Sequence, residues 1–234
     1  MGYQNDVPSK FPFFICWFHT IGVFFFTVWN QVLPQVTSTN YGYSNATNVS
    51  FDNNTVSFTP TVNYGQVYTN NLNGVLASHA YYISVEILNP STQQTVTLTD
   101  GGGRIYMPFN RCETFMRKSV IKHPTQDSNT RTFIWVTANT GYSEWTEVKA
   151  RNLMWIDLTK MFGSDANIIS ALGLPSGTNI TNPEVITAFE RLFPQEYYAH
   201  HTSASGDLTL FNFSNPQTFR TFARSNKCKT FLKI

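Results

Sequence analysis

Side chains able to do chemistry are sparse in this chain, and their spacing favours recognition over catalysis. Only 14 Asp and Glu occur among 234 residues. A paired-carboxylate hydrolase needs two acids in one pocket. Asp157 instead stands where a helix cap is expected, and Glu144 and Glu147 fall on one strand edge. His200 and His201 are adjacent, so on a strand they would point to opposite faces and could not chelate one metal together. They read as loop residues. GGGR at 101–104 lacks the Lys-Ser/Thr of a phosphate loop and reads as a turn, and no G-x-S-x-G occurs. Cys112 has no neighbour that marks it as a nucleophile, so a buried or edge thiol is expected. No catalytic residue, metal ligand or cofactor is therefore expected. What remains is rings with polar partners, the composition of a shallow sugar site, because the C–H face of a sugar stacks on an aromatic ring. Candidate rings are Tyr106, Trp135, Tyr142 and Trp145, with Arg104, Arg117 and Glu144 as polar partners. Tyr142 and Trp145 flank the turn NTGYS at 139–143 and look least like core residues. The expected ligand-binding set is Tyr142, Trp145, Tyr106, Arg104 and Glu144. Trp135 and Trp155 are expected in the core by burial habit.

The elements that must position these residues read as strands. Alternation of apolar and polar residues marks 55–60, 79–88, 93–99, 131–138 and 145–158. In 79–88 it puts Tyr81, Ile83, Val85 and Ile87 on one face. Turn residues at 89–90, 100–103, 124–129 and 139–143 separate the strands at near-even intervals, the pattern of a sandwich or barrel. No strand alternates with a long amphipathic helix, which disfavours a βαβ architecture. The expected fold is all-β, a jelly-roll-type sandwich. Charged residues are 13% of the chain, and the surface is polar through Thr, Asn, Ser and Gln instead, as suits strands and loops. The last strand has apolar residues on both faces: Leu153, Trp155 and Leu158 one way, Met154 and Ile156 the other. Asp157 or Thr159 is expected to cap a short helix over 158–162 that stops at Gly163. A second helix is expected behind Asn182 as cap and Pro183 as first residue, with Val185, Ile186, Phe189 and Leu192 as its apolar stripe. Together they form a lid over one end or edge of the sandwich.

Both ends of the chain differ from this body. Residues 11–33 carry no Asp, Glu, Lys or Arg, a length that as a helix could cross a hydrocarbon layer of roughly 30 Å. A signal peptide, a membrane anchor and an apolar segment buried against another protein all remain open; His19, Thr20, Asn30 and Gln31 weaken the anchor. Composition shifts near Val36, which divides the chain into a hydrophobic N-terminal segment (1–36), a sandwich with its helical lid (37–205) and a C-terminal tail (206–234). The net charge of +2 is too small for a nucleic-acid footprint. Cys16, Cys112 and Cys228 are far apart and odd in number, so three free thiols are expected.

DLTKMFG at 157–163, followed after a polar spacer by Phe189, Leu192, Phe193, Pro194, Tyr197 and Tyr198, resembles a motif of β-sandwich modules in tail and minor structural proteins of phages and prophages of Gram-positive bacteria. Related modules occur in surface proteins of their hosts. NGVLASHAYYISVEI at 73–87 resembles an upstream strand of that family, and 206–221 resembles the tail that follows the module. The resemblance spans about residues 40–222. It implies a jelly-roll sandwich and a non-enzymatic virion role in tail, fibre or head decoration. Partners would be other virion proteins or further copies of the chain, with host cell-wall glycan as ligand. The alternative is a bacterial surface protein that binds carbohydrate and contacts the membrane through residues 11–33. The chain departs from the family by its long insertion at 164–181, its apolar front end and its short basic C-terminus.

Overall fold

The computed structural model describes residues 36–52, 54–69, 75–100, 105–124 and 131–193, with the backbone of two flanking strands, β1 (Val23–Val28) and β12 (Asp207–Asn212). Ten strands build the body. β2 (Tyr41–Ser44), β5 (Gly65–Thr69), β10 (Thr132–Ala138), β7 (Gln94–Asp100) and β8 (Tyr106–Phe109) form a first antiparallel sheet, in that spatial order. β3 (Ala46–Asp52), β4 (Thr55–Pro60), β11 (Val148–Asp157), β6 (Tyr81–Asn89) and β9 (Cys112–Lys122) form the second. β7 pairs with β8, β6 with β9, β5 with β10 and β4 with β11. Pairs nested in this way are one long hairpin rolled over itself, so the expected jelly-roll sandwich is the observed fold.

Alternation puts Val56, Phe58, Ile83, Val85, Ile87, Val96, Leu98, Ile134 and Trp155 between the sheets as the main core. β11 needs a correction of phase to join it. A bulge between Arg151 and Met154, with Asn152 at φ 53°, inserts one residue and turns Leu153 and Trp155 inward. The other face of β6 and β11 then presents Tyr82, Met154 and Ile156, and these anchor a second apolar cluster. Three helices cover it: α1 (Leu158–Phe162), α2 (Asp165–Ala171) and α3 (Pro183–Leu192). They bring Met161, Phe162, Ile168, Ile169, Val185, Phe189 and Phe193 down onto the sheet. The lid therefore covers a sheet face, not the end or edge that the sequence suggested. Leu158 belongs to this second cluster, apart from Leu153 and Trp155.

Local signals explain the helices. Asp157 caps α1, accepting from Lys160 N at 2.7 Å, and Gly163 at φ 102° ends it. The insertion at 164–181 holds α2, capped by Ser164, which accepts from Asn167 N at 3.3 Å. Pro183 opens α3 as expected, but Asn182 makes no capping bond; its amide donates to Glu184 at 3.4 Å. The fixed φ of the proline already suits the first helical turn.

The apolar run at 11–33 lies outside the described residues except for the backbone of β1, which is a strand and pairs antiparallel with β12, Val23 opposite Asn212 and Val28 opposite Asp207. Among the described residues no helix is long and apolar enough to cross a membrane.

Candidate functional site

One sheet face is covered by helices, and the outer face of the other carries rings. Register sets its rows. Gly42, Tyr68, Phe133, Thr99 and Tyr106 stand side by side across the first sheet, and Ser44, Gln66, Trp135, Thr97 and Pro108 form the next row. Their neighbours Val67, Ile134, Val136, Val96 and Leu98 point into the core, so these rows point away from it. Arg131 has the same phase as Phe133 and Trp135 and extends that column beyond the strand.

The rings support one another. Tyr68 and Phe133 lie 5.8 Å apart at 51°, and Tyr64 meets Trp135 edge-on at 5.6 Å and 83°. Tyr64 reaches Trp135 from the turn before β5, at φ 63°. Gly42 faces Tyr68 closely: a Cβ there would come within 2.7 Å of the ring. The Arg131 guanidinium sits 4.7 Å above Tyr68. Tyr106 and Tyr64 are the most open rings, 61% and 56% exposed. Tyr68, Phe133 and Trp135 are half-buried, and Thr97 and Thr99 are buried in the rows between β10 and β8. No Asp or Glu among the described residues lies on this face. Asp100 has the opposite phase, and its Oδ1 accepts from Ile105 N at 3.1 Å. A face of rings with Gln66 and Ser44 beside them can stack a sugar and bond its hydroxyls.

The residues singled out from the sequence are not all brought together. Tyr142 and Trp145 do meet, edge-on at 5.3 Å and 78°. Trp145 is half-buried and packs against the main core, contrary to its exposed look in the sequence. The Tyr142 hydroxyl lies 3.3 Å from Ser91 Oγ and donates to the carbonyl of Glu144, whose side chain is exposed. Tyr106 is elsewhere. The 139–143 turn follows Ala138, which is opposite Gln94, whereas Tyr106 is opposite Thr99. Five residues of strand, about 17 Å, separate them. Arg104, Tyr197, Tyr198, His200 and His201 lie outside the described residues. Arg117 is on the second sheet and donates to Tyr82 Oη at 2.8 Å. Trp155 is a core ring as expected, but Trp135 is on the outer face. Tyr64, Tyr68, Phe133 and Arg131 were missed. The alternation Arg131, Phe133, Trp135 was a visible signal for two of these four, Arg131 and Phe133.

Titratable groups elsewhere serve packing. Glu190 on α3 accepts from Tyr82 Oη at 2.8 Å and Ser119 Oγ at 2.7 Å, which ties the lid to the sheet. Burial pushes the Tyr82 phenol above its ordinary range, against the opposing pull of Ser119 and Arg117. Glu86, itself buried, accepts from Arg151 Nε at 2.7 Å and Asn152 Nδ2 at 3.2 Å. Cys112 is buried and free; its thiol donates to the Ile87 carbonyl at 3.2 Å and burial pushes its pKa up, the reverse of what a nucleophile needs. His79 Nδ1 bonds Asp157 at 2.7 Å and His123 Nε2 bonds Asp165 at 2.8 Å. Among the described residues no group of three or more His, Cys, Asp or Glu could hold a metal ion.

No family model and no curated protein matches the chain. Solved structures similar to it include a family 29 carbohydrate-binding module from Piromyces equi, at 14% identity and a TM-score of 0.36, covering 58% of this chain and 91% of that one. The N-terminal cellulose-binding domain of Cellulomonas fimi β-1,4-glucanase C is similar at 6% identity and a TM-score of 0.39, covering 52% and 90%. A CBM4 structure is similar at 7% identity and a TM-score of 0.40, covering 51% and 95%.

Proposed function

We propose that this chain is a non-enzymatic adhesion module of a phage virion that binds host cell-surface carbohydrate through the outer face of its first sheet. The observation that carries the binding reading is the group of rings on that face, Tyr64, Tyr68, Tyr106, Phe133 and Trp135, alongside Gln66 and Ser44. Half-buried and exposed rings on a sheet face stabilise the sandwich little for their size, whereas they suit stacking on sugar. A shallow face of this kind makes few contacts, so single-module dissociation constants near the millimolar range are expected. Repetition on a particle would supply avidity without new contacts. The virion assignment is supported by the motif at 157–163 and 189–198. A second reading is a bacterial surface protein that binds carbohydrate and meets the envelope through its apolar run at 11–33, in which Val23–Val28 is a strand and so not part of a spanning helix.

The test is retention of the full chain, displayed as a multimer, on immobilised cell-wall polysaccharides. Retention is expected, and Trp135→Ala should lower it at least tenfold with the circular dichroism spectrum unchanged. Absence of retention on every polysaccharide, or indifference to Trp135→Ala, overturns the binding reading. Detection of the chain in purified particles supports the virion; recovery only with the cell envelope supports the surface protein.

A further inference from the structure

We infer that the carbohydrate taken by this face is an acidic one, bearing carboxylate or phosphate groups that Arg131 pairs with. This rests on the reading of the face as a carbohydrate platform. Arg131 is exposed, stands in the column of Phe133 and Trp135, and lies over the Tyr68 ring, 4.7 Å from its centroid. Alternate residues of an extended column are about 6.8 Å apart, so the cation continues the line of rings at its end. Every other arginine with a described position has a hydrogen-bonding, ion-pair or helix-terminal role: Arg111 with Glu113, Arg117 with Tyr82, Arg151 with Glu86, and Arg191 in the last turn of α3. Among the described residues Arg131 meets only the ring, and no carboxylate there pairs with it. The guanidinium lies over the ring, and this contact supplies no oxygen or nitrogen acceptor for its N–H groups. Those N–H donors lie in the plane of the group and stay available to an oxyanion, which they can grip with two parallel bonds.

The surroundings select charge as well. The face has no Asp or Glu among its described residues, so an incoming anion meets no repulsion there, and the low density of protein charge leaves the field of Arg131 uncompensated. A neutral glycan would need the rings and amides alone. Nucleic acid shares the chemistry of rings and cation, but it presents a phosphate at every nucleotide and its binding scales with the number of cations supplied. A net charge of +2 and one cation in this column fit a polymer with sparser charge.

The experiment measures retention of the full chain, as a multimer, on four immobilised polymers: a polyuronate, a glycerol-phosphate polymer, a neutral glucan and single-stranded DNA. Retention on either acidic polysaccharide is expected to exceed that on the neutral glucan at least tenfold in low salt and to fall as NaCl is raised. Arg131→Gln should reduce it about tenfold and flatten the salt dependence, and Arg131→Lys should restore part of it. Preference for one acidic polymer identifies carboxylate or phosphate as the group recognised; retention on both supports the shared chemistry. Equal retention on neutral and acidic polysaccharides, or indifference to Arg131→Gln, overturns the acidic ligand while leaving the platform standing. Retention on DNA at least as strong as on the acidic polysaccharides overturns it in favour of nucleic acid. No retention on any of the four sinks the platform itself.

Discussion

Replacing Phe189 by alanine tests whether the helices form a core with the sheet or merely lie on it. Phe189 is 1% exposed and sits between two rings, Tyr82 on β6 at 4.6 Å and Phe193 at 4.7 Å and 27°. Loss of a core phenylalanine costs about 3–5 kcal/mol through lost transfer energy and the cavity left behind. Each ring pair adds about 0.5–1.5 kcal/mol beyond burial, which puts Phe189 at the upper end, about 5 kcal/mol. With a urea slope of about 2.5 kcal/mol per molar, the unfolding midpoint should drop by about 2 M. Phe189→Leu refills most of the volume and should recover more than half of the loss. Amide exchange read alongside separates two routes to that loss. If the second cluster opens as a unit, α1–α3 exchange faster while β6 and β11 keep the protection of the main core. A midpoint shift under about 0.5 M with unchanged exchange in α3 would refute the two-core account.

Two further substitutions probe polar contacts. Asp157→Ala removes the cap on α1 and the partner of His79 Nδ1, so a loss of about 1–2 kcal/mol in chemical unfolding is expected. Asp157→Asn keeps a capping oxygen and should lose less than half of that; equal losses would move the weight from the cap to the histidine contact. For Tyr82 the sign follows from its raised pKa. The unfolded phenol ionises near its ordinary value of about 10, and the buried one only above it. Its contribution is thus intact below pH of about 10 and is lost as pH rises through the higher folded value. Tyr82→Phe should cost about 1–2 kcal/mol at neutral pH, through the hydroxyl contacts to Glu190, Ser119 and Arg117. It should also flatten the alkaline decline, measured as urea midpoints at pH 7 and above pH 10. A decline as steep in the variant as in the parent would show that Tyr82 does not carry it.

Strand periodicity, turn spacing and caps were legible in the sequence because they act within a few residues. The alternation over 79–88 identified the inward face of β6, and Asp157 and Gly163 marked both ends of α1. The two-faced apolar pattern of Leu153 to Ile156 announced a second buried layer, since no strand keeps both faces apolar without one. The strands over 41–52, 65–69 and 106–122 escaped notice. β3 and β9 carry polar and charged residues on edge positions, where burial no longer enforces a clean two-residue period.

The site depended on what period alone cannot supply. Tyr106, Trp135 and Tyr68 are remote in sequence, and only the nesting of β5 with β10 and β7 with β8 lines them up on one face. The same nesting parts Tyr106 from Tyr142 and Trp145, although all three are aromatic residues beside turns. One inserted residue at Asn152 decides which face of β11 joins which core, an effect of pairing with β6 that no property of residues 148–157 alone declares. Local sequence determined that this chain makes strands, where its short helices begin and that two layers are buried. Register determined which rings meet, because side-chain direction along a strand is known only up to the partner it pairs with, and that partner is chosen by burial across the whole sandwich.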